Sequence, residues 1–124
     1  MKYFLSIGSN IEAIRNIDFA VKELEFILSN TQISTTYKTK AVGFEGDDFL
    51  NLVVAGDSLL NFDELNVKLK KIEDLSGRNR NVPKFSARTL DIDIVLQIDD
   101  DEIIFESDEI EKYGFVSKPL KELL

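Results

Sequence analysis

Tyr3, Leu5 and Ile7 alternate with Lys2, Phe4 and Ser6, a two-residue period that predicts a strand buried largely on both faces. Gly8-Ser9-Asn10 breaks it. Over residues 12–28, apolar positions at Ile14, Ile17, Val21, Leu24 and Leu28 step by three and four, as in an amphipathic helix, and Ser29-Asn30 ends the pattern. Ile33, Thr35, Tyr37 and Thr39 alternate with their neighbours in a β-rich second strand. Residues 41–48, with Gly43 and Gly46, read as a loop, and 49–55 as a third strand closed by Gly56-Asp57-Ser58. A second helix opens at Asn61, a capping residue, with Glu64 at capping-box spacing. Phe62, Leu65, Leu69, Ile72 and Leu75 form its apolar face, and Gly77 is its terminator. Residues 78–88 lack periodicity; 89–98 form a strong strand, and 102–105 pair back onto it across Asp99-Asp100-Asp101. The order β-α-β-β-α-β, with an extra C-terminal hairpin strand, predicts one α+β domain over residues 1–124. The plan is ferredoxin-like, with helices on one face of a mainly antiparallel sheet.

Composition narrows the chemistry. The net charge of −8 disfavours binding to a nucleic-acid backbone, which needs a surplus of basic contacts. The longest apolar runs fall far short of the roughly 20 residues that cross a bilayer, and the start of the chain is too brief for a signal-peptide core. A cytoplasmic protein fits. With no cysteine there is no disulfide framework and no thiolate metal site. With no histidine, imidazole bases, His ligands and Ser-His or Cys-His pairs are excluded. Any catalysis must run on carboxylates, Arg or Lys, and a metal held through oxygen.

Asp91 and Asp93 are the sharpest candidates. Alternate residues of a strand share a face, so their carboxylates lie together while Leu90, Ile92 and Ile94 point away. At a spacing of about 7 Å and an effective dielectric near 20, two such charges repel by roughly 2 kcal/mol. A divalent cation relieves that repulsion, and two short carboxylates with open positions suit Mg²⁺ with phosphate oxygens as further ligands. Just before them stand Arg78, Arg80, Lys84 and Arg88 with no acidic residue among 78–88, the one clear basic patch of the chain. Such a segment can bind phosphates bidentately or simply balance nearby carboxylates; beside an acid pair, it suits a metal-polyphosphate site. Gly8-Ser9-Asn10 fits a structural strand-to-helix turn. Phe49 and Phe115 fit either core or stacking platforms. Asn51, inside an apolar run, carries an amide that needs partners, which a ligand can supply.

Taken in order, Gly8-Ser9-Asn10, Tyr37-Lys38-Thr39, Phe49-Leu50-Asn51, Glu73 with Gly77-Arg78, Arg88-Thr89-Leu90-Asp91-Ile92-Asp93-Ile94 and Phe115-Val116 with Pro119-Leu120 resemble the 6-hydroxymethyl-7,8-dihydropterin pyrophosphokinase family of folate biosynthesis. The resemblance implies a ferredoxin-like fold. It also implies transfer of pyrophosphate from ATP to the pterin hydroxymethyl group, with release of AMP. By the same resemblance, Asp91 and Asp93 would hold two Mg²⁺ ions. Glu73 would lie near the nucleotide, and Arg78, Arg80, Lys84 and Arg88 would take the phosphates. Phe49 and Phe115 would sandwich the pterin, Asn51 would pair with its polar edge, and Thr39 and Val42 would complete the pocket. Phe85 stands where the family often has an aromatic in a closing loop. The partners implied are ATP and hydroxymethyldihydropterin, with no nucleic acid and no membrane, acting on a monomer. The family's Pro-His-Pro segment is absent here, and Tyr113 stands where it usually has an Arg. An alternative implied by those departures is a member that binds nucleotide or pterin without efficient transfer.

Overall fold

The computed structural model describes residues 1–41, 43–82 and 87–124. Its elements are β1 (Lys2–Ser9), α1 (Ala13–Ile27), β2 (Ser29–Ile33), β3 (Tyr37–Thr39), β4 (Phe49–Asp57), α2 (Phe62–Leu75), β5 (Asp91–Asp99), β6 (Glu102–Glu106), α3 (Glu109–Lys112) and α4 (Gly114–Leu123). The sheet order is β2-β4-β1-β5-β6, with β3 also on β4, and every pairing is antiparallel. This is the ferredoxin-like arrangement with β6 added at one edge. Asp100 and Asp101 both take positive φ, the two-residue hairpin turn whose twist suits neighbouring antiparallel strands.

Alternation along β1 divides the sheet into two faces. Tyr3, Leu5 and Ile7 join Leu52, Val54, Ile92 and Ile94 under α1 and α2, where Leu24, Leu65 and Leu69 are fully buried. Each such aliphatic side chain contributes roughly 1.5–3 kcal/mol by leaving water. Phe4 faces the other way, with Val53, Ala55 and Val95, and is covered by Val116 and Leu120 of α4. Helices therefore cover both faces rather than one. The sequence pattern does not announce α4, because Pro119 interrupts it one turn in and leaves the Phe115 carbonyl without its usual donor.

Other boundaries shift for local reasons. The predicted second strand is split in two, because Ser34 replaces a ladder bond with its side chain: Val53 N–H donates to Ser34 Oγ at 2.9 Å while Ser34 N–H donates to the Val53 carbonyl. Ser29-Asn30 belongs to β2 instead of ending a helix, Asn30 taking a left-handed φ at a bulge. Ile14 is 80% exposed and Leu75 is 65% exposed. The buried stripe of α1 runs instead through Asn16, Ile17, Ala20 and Leu24, and α2 turns its last residue outward. The capping box forms as expected, with Asn61 and Glu64 each accepting the other's backbone N–H. Gly77 takes φ +89, the left-handed stop of α2, and so turns the chain back toward that helix.

The far end of α4 is fastened to the sheet edge. Glu122 accepts from Thr35 N–H at 2.9 Å, from Thr35 Oγ1 at 2.5 Å and from the Tyr37 hydroxyl. These donors hold its carboxyl below the ordinary value of 4.5. A depressed carboxyl adds stability above its unfolded pKa and loses it as pH falls through the folded value. Urea unfolding should show wild type more stable than Glu122→Gln at pH 7, the difference shrinking as pH falls below 4.5.

Candidate active site

The polar end of the α4-covered face is left open. Across the sheet, Asp91 pairs with Gly8, Gly8 with Asn51, and Asn51 with Tyr37, so these positions share one face. Asp93 pairs with Ser6 in the adjoining row. Because Gly8 has no side chain, the floor between Asp91 and Asn51 stays hollow; a Cβ there would stand 3.1 Å from Asn51 Oδ1. Above this floor is a cavity of about 160 Å³, below the roughly 300 Å³ of typical drug-sized pockets. It is sized for a small molecule.

Aromatic rings form its walls. Phe44 meets Phe49 edge-on at 6.5 Å, and Tyr113 stacks on Phe115 at 4.8 Å, all four rings lining the cavity. Asn51 is buried, and its amide donates to Thr39 Oγ1 at 2.7 Å, which fixes the orientation of its Oδ1. Asn10 ties the rim together. Its backbone N–H donates to the Arg88 carbonyl, its Oδ1 accepts from Arg88 N–H at 2.7 Å, and its Nδ2 donates to the Asp47 carbonyl. Gly8-Ser9-Asn10 thus joins three segments as well as turning the chain. Arg88, Asp91, Asp93 and Glu109 line the far end of the cavity.

Beneath that end lies a cluster of charges anchored on Glu73, which is fully buried. Its Oε1 accepts from Arg78 at 2.8 Å and Arg80 at 2.9 Å; its Oε2 accepts from Lys70 at 3.0 Å and from the backbone N–H of Ile92 at 2.7 Å. Arg78 reaches on to Asp91 Oδ1 at 2.9 Å and Lys70 to Asp93 Oδ1 at 3.4 Å. Arg80 also donates to Asp74 at 3.0 Å. Gly77 is what allows this, since the reversal after α2 carries Arg78 back over Glu73.

The residues singled out from sequence therefore fall into two groups. Thr39, Phe49, Asn51, Arg88, Asp91, Asp93 and Phe115 meet at one cavity. Glu73, Arg78 and Arg80 do not line it; they lie in the charge cluster behind the two aspartates. Val42, Lys84 and Phe85 lie outside the described residues. Sequence reasoning passed over Lys40, Phe44 and Glu109 on the cavity wall, and Lys70. Lys70 had a legible signal, since it precedes Glu73 by three on a helix, the spacing of facing ion-pair partners. For Lys40, Phe44 and Glu109, no motif marked the position.

The electrostatics of the pair are unequal. Burial first, then the charge of Asp91, push Asp93 up to about 6; Lys70 opposes this, while Glu109 and Glu73 add to it. A pair built of oxygen donors only, each already facing one cation, fits a hard dication in its donor chemistry. Among the described residues there is no group of three or more ligating side chains, so further ligands would have to come from substrate or water.

The site is thus an aromatic-walled cavity ending in paired carboxylates, on a ferredoxin-like α+β fold. The family model described as 7,8-dihydro-6-hydroxymethylpterin-pyrophosphokinase (HPPK) matches residues 4–124, and the chain belongs to this family. It is similar to the 2-amino-4-hydroxy-6-hydroxymethyldihydropteridine pyrophosphokinase of Aquifex aeolicus (strain VF5), 40% identical over 99 residues, which cover 78% of this chain and 61% of the relative. It is also similar to the folate synthesis bifunctional protein of Arabidopsis thaliana, 32% identical over 127 residues (97% of this chain, 26% of the relative). A third relative, the folate synthesis bifunctional protein of Chlamydia caviae, is 36% identical over 106 residues (77% of this chain, 23% of the relative). The chain spans less than two thirds of the length of each of these relatives.

A carboxyl whose pKa is raised on folding favours the fold below its unfolded value, 3.8, and loses that contribution as pH rises through about 6. Asp93→Asn should therefore be more stable than wild type at pH 7.5 in metal-free buffer. After discounting for solvent screening of a side chain 39% exposed, the gain is about 1 kcal/mol. Urea unfolding should show the gain shrinking as pH falls to 5.

Proposed function

We propose that the chain transfers the pyrophosphoryl group of ATP to the hydroxymethyl group of 6-hydroxymethyl-7,8-dihydropterin and releases AMP, acting as a monomeric, single-domain cytoplasmic enzyme. The observation that carries this reading is the shared cavity, which brings Phe49, Asn51 and Phe115 beside Asp91, Asp93 and Arg88. Membership of the family supports it.

In this reading Phe49 and Phe115 hold the flat pterin ring between them by offset stacking. Asn51, its Nδ2 already engaged by Thr39, turns its amide oxygen to the polar edge of the ring. Thr39 completes that end of the pocket. Asp91 and Asp93 would hold Mg²⁺, two ions in all, a role that their oxygen donors suit. When bound, Mg²⁺ would neutralise polyphosphate charge and favour ionisation of the attacking hydroxyl.

Arg88, half-buried on the cavity wall, faces the phosphates directly. Arg78 and Arg80 contribute positive potential from behind the aspartates. The Nε–H of Arg78, buried behind the aspartates, has no hydrogen-bond acceptor among the described residues. Glu73 lies near the nucleotide without touching it and fixes Arg78 and Arg80. The pterin hydroxyl oxygen bonds to the β-phosphorus as the α–β bridge breaks. AMP keeps the bridging oxygen, and the hydroxyl proton passes to solvent. Holding the two substrates in line supplies much of the rate.

A second reading is binding of nucleotide or pterin without efficient transfer. The stacking of Tyr113 on Phe115, at the position where the family usually has an Arg, favours it.

AMP should form when the chain is given ATP, Mg²⁺ and hydroxymethyldihydropterin together, and not when any one is withheld. Asp93→Ala should lower kcat at least about 100-fold. Folded protein that yields no AMP above background overturns the enzyme reading, and saturable binding of an ATP analogue in that case supports the second.

A further inference from the structure

Lys70 lies outside the residues given roles above, yet it bridges the charge cluster and the cavity. Its ammonium group donates to Glu73 Oε2 at 3.0 Å, to the Ile92 carbonyl at 3.1 Å and to Asp93 Oδ1 at 3.4 Å. An ammonium has three N–H donors, and these three oxygens account for them. Two of the acceptors are fixed. Glu73 is fully buried, and the Ile92 carbonyl is backbone near the start of β5, held in the sheet by pairing with β1. The third, Asp93, is the one that lines the cavity. The ammonium therefore has a built seat and a single adjustable contact, and that contact is with the carboxylate pair.

We propose that Lys70 is the resident counter-ion of Asp93: it weakens divalent-cation binding to the bare aspartate pair and makes that binding depend on a polyphosphate. This rests on the reading of Asp91 and Asp93 as the metal-holding residues. A dication seated on Asp93 meets a positive charge that cannot withdraw, because Glu73 and Ile92 hold it. Repulsion at that range costs the cation at least about tenfold in affinity, the figure that remains even with screening close to that of bulk water. An anionic tail bound with the dication offsets both positive charges at once. Each ligand then strengthens the other by the same factor, as linkage requires. Lys70 is thus a positioning residue acting through Asp93, and its effect is a preference for the metal-polyphosphate complex over free metal.

Binding of Mn²⁺ to the metal-free chain, followed by electron paramagnetic resonance, tests this. Lys70→Gln should bind Mn²⁺ alone at least about tenfold more tightly than wild type, with the gap closing when a non-hydrolysable ATP analogue is present. Lys70→Arg, which keeps the charge, should stay within about twofold of wild type. A lysine that serves only the fold would change the melting temperature without tightening metal binding. If Lys70→Gln lacks the wild-type circular dichroism, Lys70→Met, which keeps the aliphatic stem, serves in its place. Equal or weaker Mn²⁺ binding by the charge-free variant overturns the counter-ion role. Asp93→Ala separates the two levels. If it binds Mn²⁺ as tightly as wild type, the metal reading itself falls. If it binds more weakly while the charge-free variant matches wild type, only the counter-ion inference falls.

Discussion

The carboxylate of Glu73, fully buried between α2 and β5, is the contact on which the rest of the site depends. β6 pairs with β5 only over Leu96–Asp99, so the start of β5 has no strand on that side among the described residues. Glu73 and Lys70, one turn of helix apart, take its place: the carboxylate accepts the Ile92 N–H and the ammonium donates to the Ile92 carbonyl. A helix side-chain pair thus does for β5 what a neighbouring strand would do. A buried carboxylate is costly unless paired and hydrogen-bonded, and here four donors converge on it.

That solution has a chemical consequence. The cations that compensate Glu73 extend past it to Asp91 and Asp93, which face the opposite side of the sheet. Four carboxylates (Glu73, Asp74, Asp91 and Asp93) and three cations (Lys70, Arg78 and Arg80) therefore form one network reaching around the edge of β5. The fold needs the network to close an open strand edge, and the cavity inherits from it a pair of aspartates whose charge is only partly met. Gly8 then keeps the floor hollow, and α4 brings Phe115 to the wall. Glu122 fastens the other end of that helix.

Much of this was legible in the chain. Alternation at Tyr3, Leu5 and Ile7, the Asn61–Glu64 box, the Gly77 stop and the Asp99-Asp100-Asp101 turn are local signals, and local geometry decided them. The D-x-D spacing was enough to put both carboxylates on one face. What could not be read depends on tertiary neighbours. Ile14 fits the helical period but is carried past the edge of the core. The Ser34 substitution that splits the edge strand requires β4 beside it. α4 is hidden by Pro119 in a short apolar run. The roles of Glu73 and Arg78 were also out of reach: sequence marked both, but only the packing of α2 on β5 puts a carboxylate between those cations and separates Glu73 from the cavity.

Denaturant unfolding of Glu73→Gln in metal-free buffer at neutral pH addresses the central claim most directly. Replacing the charge with an isosteric amide leaves Lys70, Arg78 and Arg80 without their shared anion. The expected result is a loss of about 3–5 kcal/mol, as when one partner of a buried ion pair is removed. Stability within about 0.5 kcal/mol of wild type, the range of an ordinary surface substitution, would contradict it.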